Sequence, residues 1–231
     1  MRDVLLTGGT GYIGRALSEA LVRRGHRVRV LVREGSRGRV APGALAVVGD
    51  ALDAESVRAA LRPGDVVVHL VGTPHPSPRK AAEFVRVDLA SIRATVDAMA
   101  DARAAHLVYL SVAHPAPVMH AYIEARREGE RLIRAAGLGA VVLRPWYVMG
   151  PGHRWPALLI PLYAVASLVP SLRDGATRLG LVSLAQMVRA LMEAVERDVP
   201  PGTQAVLDVA RIRASAASVA RGVVRGVVPR L

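Results

Sequence analysis

The chain contains no cysteine, which excludes disulfide staples, thiolate nucleophiles and cysteine-ligated zinc. Aromatic residues make up only 3% of it, so a packed interior has to be assembled from Val, Leu, Ala and Ile. Lysine is almost missing: Lys80 is the sole one among 31 basic residues. The arginines form no isolated arm or tail. The net charge of +12 therefore reads as an arginine-rich solvated surface that helps attract anionic ligands, with no nucleic-acid footprint. His69, His75, His106, His114, His120 and His153 show no H-x-x-x-H or H-E-x-x-H spacing and no clustered carboxylates, so no metal site is expected. The opening MRDVLLTGGTGYIG lacks the apolar run and small-residue cleavage site of a signal peptide, and a cytoplasmic location is expected.

What is present is apolar and periodic. Hydrophobic residues are 52% of the 231, enough for a sizeable core in one α/β domain. Strand patterns fall at Val4–Thr7, His26–Val32, Ala44–Val48, Val66–Val71, Leu107–Ser111 and Ala140–Leu143. Helical patterns fall at Gly11–Arg24, from the Asp53 cap through Leu61, at Lys80–Asp101, Met119–Ala136 and Leu184–Arg197. Strands separated by helices of ten or more residues predict a doubly wound parallel sheet of the Rossmann type, with helices on both faces. After about Gly150 the pattern loosens, and residues 151–231 are expected to contribute a small substrate lobe to this single domain. GTPHPSP at 72–78 is too rich in proline for regular structure.

Gly8, Gly11 and Gly14, in TGGTGYIG, lie directly after the first strand and open the first helix. In that setting each has a job. The first permits a tight turn, the second lets the backbone approach a pyrophosphate, and the third lets helix and strand pack closely. The helix start then offers unpaired N–H groups and partial positive charge to phosphates. Thr7, Gly8, Gly9, Thr10, Gly11, Tyr12, Ile13 and Gly14 are thus expected to hold a dinucleotide.

The second strand runs into Arg33, with Arg37 and Arg39 close behind, where binders of NAD usually carry a carboxylate for the ribose 2′-hydroxyl. Arginine there suits a 2′-phosphate, so NADP(H) is favoured, with NAD(H) the alternative if Glu34 occupies the position. Gly49, Asp50 and Ala51, after the third strand, face the adenine edge. Leu70, Val71 and Gly72, after the fourth, complete the expected cleft.

TGGTGYIG, VVGDALD, VVHLVGT, LVYLSV, the tyrosine of AYIEARREGERLI and LRPWYVMGPG together resemble the short-chain dehydrogenase/reductase superfamily, in its extended or atypical NAD(P)-binding branch of epimerase-like proteins. The resemblance covers residues 1–152, more weakly LVSLAQMVRALMEAV, and names no substrate. It implies a catalytic Ser, then Tyr-x-x-x-Lys. Ser111 falls at the serine, Tyr122 at the tyrosine and Arg126 at the lysine. A free tyrosine is a poor base at neutral pH and needs a nearby cation. Arginine supplies charge, but it is bulkier, planar and never deprotonates, so the ribose contact and the proton relay would differ. Pro145 lies in the stretch that the resemblance places beside the nicotinamide.

Three readings follow. The first is an oxidoreductase or epimerase-like enzyme acting on an apolar carbonyl or alcohol, as a monomer or homodimer. The second is a cofactor-binding redox sensor without turnover. The third is a scaffold subunit of a membrane-associated complex. His75, His114 and His120 are placed at the pocket mouth. Trp146, Tyr147 and Met149 are placed on an apolar wall or in the core. The uncharged run Trp155–Pro170 is too short and too proline-broken to span a bilayer. It is expected to be a buried helix of the lobe; the alternatives are a greasy substrate pocket or peripheral membrane contact.

Overall fold

A computed structural model describes residues 1–100, 102–151, 175 and 178–222, with side chains to residue 215. Strands β1 (Asp3–Thr7), β2 (Arg27–Val32), β3 (Leu45–Val48), β4 (Val66–His69), β5 (His106–Leu110) and β6 (Ala140–Leu143) alternate with helices. These are α1 (Tyr12–Arg23), α2 (Ala54–Ala60), the short α3 (Ala81–Glu83), α4 (Ala90–Ala100) and α5 (His120–Ala135). All six strands pair in parallel. β7 (Tyr147–Met149) and β8 (Leu181–Ser183) make a two-stranded ribbon; α6 (Leu184–Glu196), β9 (Gln204–Leu207) and α7 (Val209–Gly222) follow.

The sheet order is β3-β2-β1-β4-β5-β6-β9. The chain winds outward from β1 in both directions, so the crevice between the ends of β1 and β4 is the switch point where open α/β sheets bind ligands. The strands are apolar on both faces, and their side chains alternate between two cores. Val4, Leu6, Val66, Val68, Val108, Val141 and Leu143 pack with Leu17 and Leu21 of α1 and Met187 and Leu191 of α6. On the other face Val67, Leu107, Tyr109 and Val142 pack with Ile92, Val96 and Met99 of α4 and Ile133 of α5. Truncating Leu17 or Leu191, both fully buried, costs about 2–5 kcal/mol.

The Asp53 cap falls where the sequence placed it, and a second cap appears at Ser183. Asp53 accepts from the backbone N–H of Glu55 and Ser56 at the start of α2, and Ser183 with Gln186 forms a capping box on α6. Two features depart from the sequence pattern. The helix expected over Lys80–Asp101 is interrupted by a π-helical turn at Phe84–Leu89; Asp101 lies outside the described residues. The seventh strand, β9, pairs with β6 along Ala140–Leu143. Residues 152–174, which include Trp155–Pro170, lie outside the described residues.

Candidate functional site

A cleft of about 330 Å³ opens at the switch point, lined by Gly8, Thr10, Leu31, Val32, Arg33, Ser36, Arg39, Gly49, Asp50, Ala51, Leu52, Val71, Gly72, Pro74 and Val87. Its floor is the glycine loop. Gly8 has φ +77, and a Cβ there would lie 2.7 Å from the Leu70 carbonyl carbon, so only glycine lets the two loops meet. A Cβ on Gly14 would overlap the Gly8 carbonyl oxygen, so α1 can start hard against β1 only without one. Gly11 is the N-cap of α1, and no side chain caps it. A helix start with no side-chain cap suits an anion site.

The wall after β2 is basic. A 3₁₀ turn at Glu34–Arg39 brings Arg33, Ser36 and Arg39 onto the cleft, and Arg39 Nη2 donates to Ser36 Oγ at 2.6 Å. Arg37 points elsewhere, exposed and off the lining. Of the two arginines noted behind Arg33, the tight turn thus brings Arg39 and not Arg37 to the cleft. Asp50 lines the cleft, and its carboxylate also accepts from Leu52 N–H at 2.9 Å.

Of the other residues expected here, Gly8, Thr10, Gly49, Ala51, Val71 and Gly72 line the cleft. Gly9, Gly11, Tyr12, Ile13 and Gly14 build the loop and helix start behind it. Thr7 is fully buried, with Oγ1 3.1 Å from His69 Nδ1. Leu70 presents its backbone to Gly8. Pro145 is buried and accepts from Ala113 N–H. Sequence reasoning notes Arg39 beside Arg33 and Arg37 but misses Ser36, Pro74 and Val87. For Ser36, a hydroxyl residue four positions past the end of β2, among arginines, was the available signal.

Ser111 and Arg126, at the serine and lysine positions, are tied inward. Ser111, 3% exposed, donates its hydroxyl to Glu130 at 2.6 Å. Glu130, itself buried, is held in a two-pronged pair by Arg144 and lies 3.6 Å from His114. Burial raises the Glu130 pKa, but the Arg144 and Ser111 hydrogen bonds outweigh it, and the net shift is downward. Burial and then the Arg144 charge lower His114.

Arg126 is 3% exposed and bonds Asp88 at 2.6 Å, the Leu110 carbonyl at 3.0 Å and the Val71 carbonyl at 3.2 Å. Burial works against its charge, but Tyr122, Tyr109 and Asp88 hold its pKa above the ordinary arginine value. Its guanidinium carbon lies 5.3 Å from the Tyr122 ring centroid, and Phe84 packs 5.0 Å from the same ring. The tyrosine is thus fixed by ring contacts with an apolar residue and a cation. Arg126 Nε is buried with no hydrogen-bond partner. The glycine cradle suits an oxygen-rich ligand in the crevice.

Residues 8–154 match the family described as NAD(P)H-binding. The chain belongs to that family. The sheet order agrees with the fold that the resemblance to the extended short-chain dehydrogenase/reductase branch implies. A ceramide reductase of Caulobacter vibrioides is 32% identical over 174 residues, covering 73% of this chain and 53% of the relative. A 3-diazoavenalumate denitrifying reductase of Streptomyces is 36% identical over 177 residues, covering 64% and 57%. The chain therefore spans about half the length of the curated relatives it matches. Among solved structures, the NAD+ complex of WbmH from Bordetella bronchiseptica superposes with TM-score 0.65 at 22% identity, covering 100% of this chain and 84% of that one. A UDP-N-acetylglucosamine 4-epimerase from Bacillus cereus gives the same TM-score at 18% identity, over 90% and 79%. Both show the shared fold.

His114 and His120 line a separate cavity of about 670 Å³ beside α5, with Ile123, Glu124 and Arg127; His75 lines neither this cavity nor the cleft. Trp146 packs against the core and meets Tyr147 edge-on, while Tyr147 and Met149 are half-buried in β7. Among the described residues, no helix is long and apolar enough to cross a membrane.

Proposed function

We propose that this NAD(P)H-binding protein is an NADPH-dependent reductase of an apolar carbonyl compound. The observation that carries the cofactor choice is the wall after β2. Arg33, Ser36 and Arg39 line it, and Glu34 does not. Two guanidinium groups and a hydroxyl match a 2′-phosphate, whereas a ribose hydroxyl asks for a carboxylate acceptor. The reduced nicotinamide, when bound, supplies the hydride that goes to the carbonyl carbon. Gly8, Thr10 and the first turn of α1 would hold the diphosphate, and Asp50 with Leu52 the adenine edge. Tyr122 would deliver the proton to the carbonyl oxygen, converting the ketone to an alcohol. The names of the curated relatives, reductases in both cases, support this direction.

The test is NADPH oxidation over a panel of apolar ketones, with Tyr122→Phe alongside. A loss of at least about 100-fold in kcat with unchanged NADPH affinity is expected. Equal turnover by Tyr122→Phe removes the tyrosine from this role.

A second reading, dinucleotide binding without turnover, rests on the inward ties of Ser111 and Arg126. NADPH binding with no oxidation across the panel selects it.

A further inference from the structure

Asp88 is fully buried in the π-helical turn and has no counterpart among the site residues read from the sequence. Its Oδ2 accepts from Thr73 N–H at 2.9 Å and from Thr73 Oγ1 at 2.6 Å, and its Oδ1 accepts from Arg126 Nη2 at 2.6 Å. The same guanidinium reaches the Val71 and Leu110 carbonyls and lies against the Tyr122 ring. One ion pair therefore joins the loop after β4, the end of β5 next to Ser111, and the tyrosine of α5. π-turns inside α-helices recur at functional sites, and this one also presents Val87 to the cleft.

The pair presses directly on the cleft wall. A Cβ on Gly72 would overlap Arg126 Nη2 and lie 3.0 Å from Asp88 Oδ1. Gly72 and Val71 line the cleft on the β4 side, while Arg33, Ser36, Arg39 and Asp50 line it on the β2–β3 side. Neither Asp88 nor Arg126 bonds any of those four. A dinucleotide laid across the switch point with its adenosine over β2 and β3 extends its other half over β4 and β5.

We propose that Asp88 and Arg126 form one positioning unit for the nicotinamide half of the cofactor and leave the adenosine half alone. The inference rests on the dinucleotide reading above. In this unit Arg126 does not repeat the solitary lysine of the resembled motif. It is a strut whose charge is answered by Asp88, and neither residue functions without the other, because removing one partner leaves an uncompensated buried charge. A lysine at position 126 has one ammonium group and cannot span Asp88 and both carbonyls as the planar fork does.

The experiment compares two probes by calorimetry: NADPH, which reaches both halves, and 2′,5′-ADP, which reaches only the adenosine half. The proteins are the wild type, Asp88→Asn, Arg126→Lys and Gly72→Ala. The last intrudes a methyl on the strut and changes no charge, so it serves if a charge variant fails to fold. Each folded variant is expected to lose about tenfold or more in NADPH affinity, with 2′,5′-ADP affinity within about twofold of wild type. Parallel losses for both probes, or undiminished NADPH affinity, overturn the proposal. A wild type that binds neither probe instead contradicts the dinucleotide reading on which it rests.

Discussion

Ser111 donates its hydroxyl proton to Glu130 across 2.6 Å, inside the protein. That proton is committed to a carboxylate that Arg144 keeps ionised. Arg144 is the partner that makes a buried Glu130 tolerable. Arg144→Met should destabilise the fold by about 3 kcal/mol, because the carboxylate keeps only weaker partners. Ser111→Ala should cost about 1–3 kcal/mol through the unmade hydrogen bond. Chemical denaturation checks both. Equal stability of Arg144→Met and wild type would show that the network carries no folding energy.

His69 supplies a pH dependence. It is fully buried at the end of β4, with Nδ1 3.0 Å from Thr95 Oγ1 and Nε2 3.2 Å from Ser91 Oγ. Burial first, and the Arg126 charge second, push its pKa down to about 3. The native ring is neutral; the unfolded chain takes up a proton below the ordinary 6.5. Its contribution to stability is therefore complete above pH 6.5 and falls as pH drops toward 3, by about 1.4 kcal/mol per unit. His69→Gln should flatten the stability–pH curve by about one proton in that window. An unchanged slope in denaturant titrations at pH 4 to 6.5 contradicts this assignment.

The glycines of the loop should separate by geometry. Gly14→Ala drives a methyl into the Gly8 carbonyl, and Gly8→Ala adds a positive φ to a 2.7 Å clash, whereas a Cβ on Gly11 meets only the Gly8 oxygen at 3.3 Å. Melting temperatures should fall for the first two by several degrees, corresponding to about 2 kcal/mol or more, and stay near wild type for Gly11→Ala. Equal effects at all three positions would show that the loop is not packed as described.

Cofactor choice should lie with Arg39 as much as with Arg33. Arg39→Ala is expected to lower NADPH affinity about tenfold, through one charge-assisted contact, and to leave NADH affinity unchanged. Arg37→Ala, off the cleft, should change neither. Measured Kd values in which Arg37 matters and Arg39 does not would reverse the assignment.

Much of this architecture was legible in the residues. The apolar runs of β1, β4 and β6 and the glycine spacing reflect local rules of strand burial and helix start, and they fell within a residue or two of their observed places. The strand at Gln204–Leu207 was not legible. Its four half-buried residues are short and weakly patterned, and they become a strand only because β6 offers an open edge. Which of Arg37 and Arg39 reaches the cleft depends on a 3₁₀ turn, whose three-residue period differs from the helical one. Asp88 escaped for a related reason. A π-turn gives no periodic signal, and the aspartate becomes informative only when Arg126, distant in sequence, is seen beside it.

The most direct measurement is calorimetric titration of the wild-type chain with NADPH and with NADH at moderate ionic strength. The account requires saturable binding of NADPH, tighter than NADH by about tenfold or more. Absence of binding by either nucleotide at millimolar concentration would contradict it.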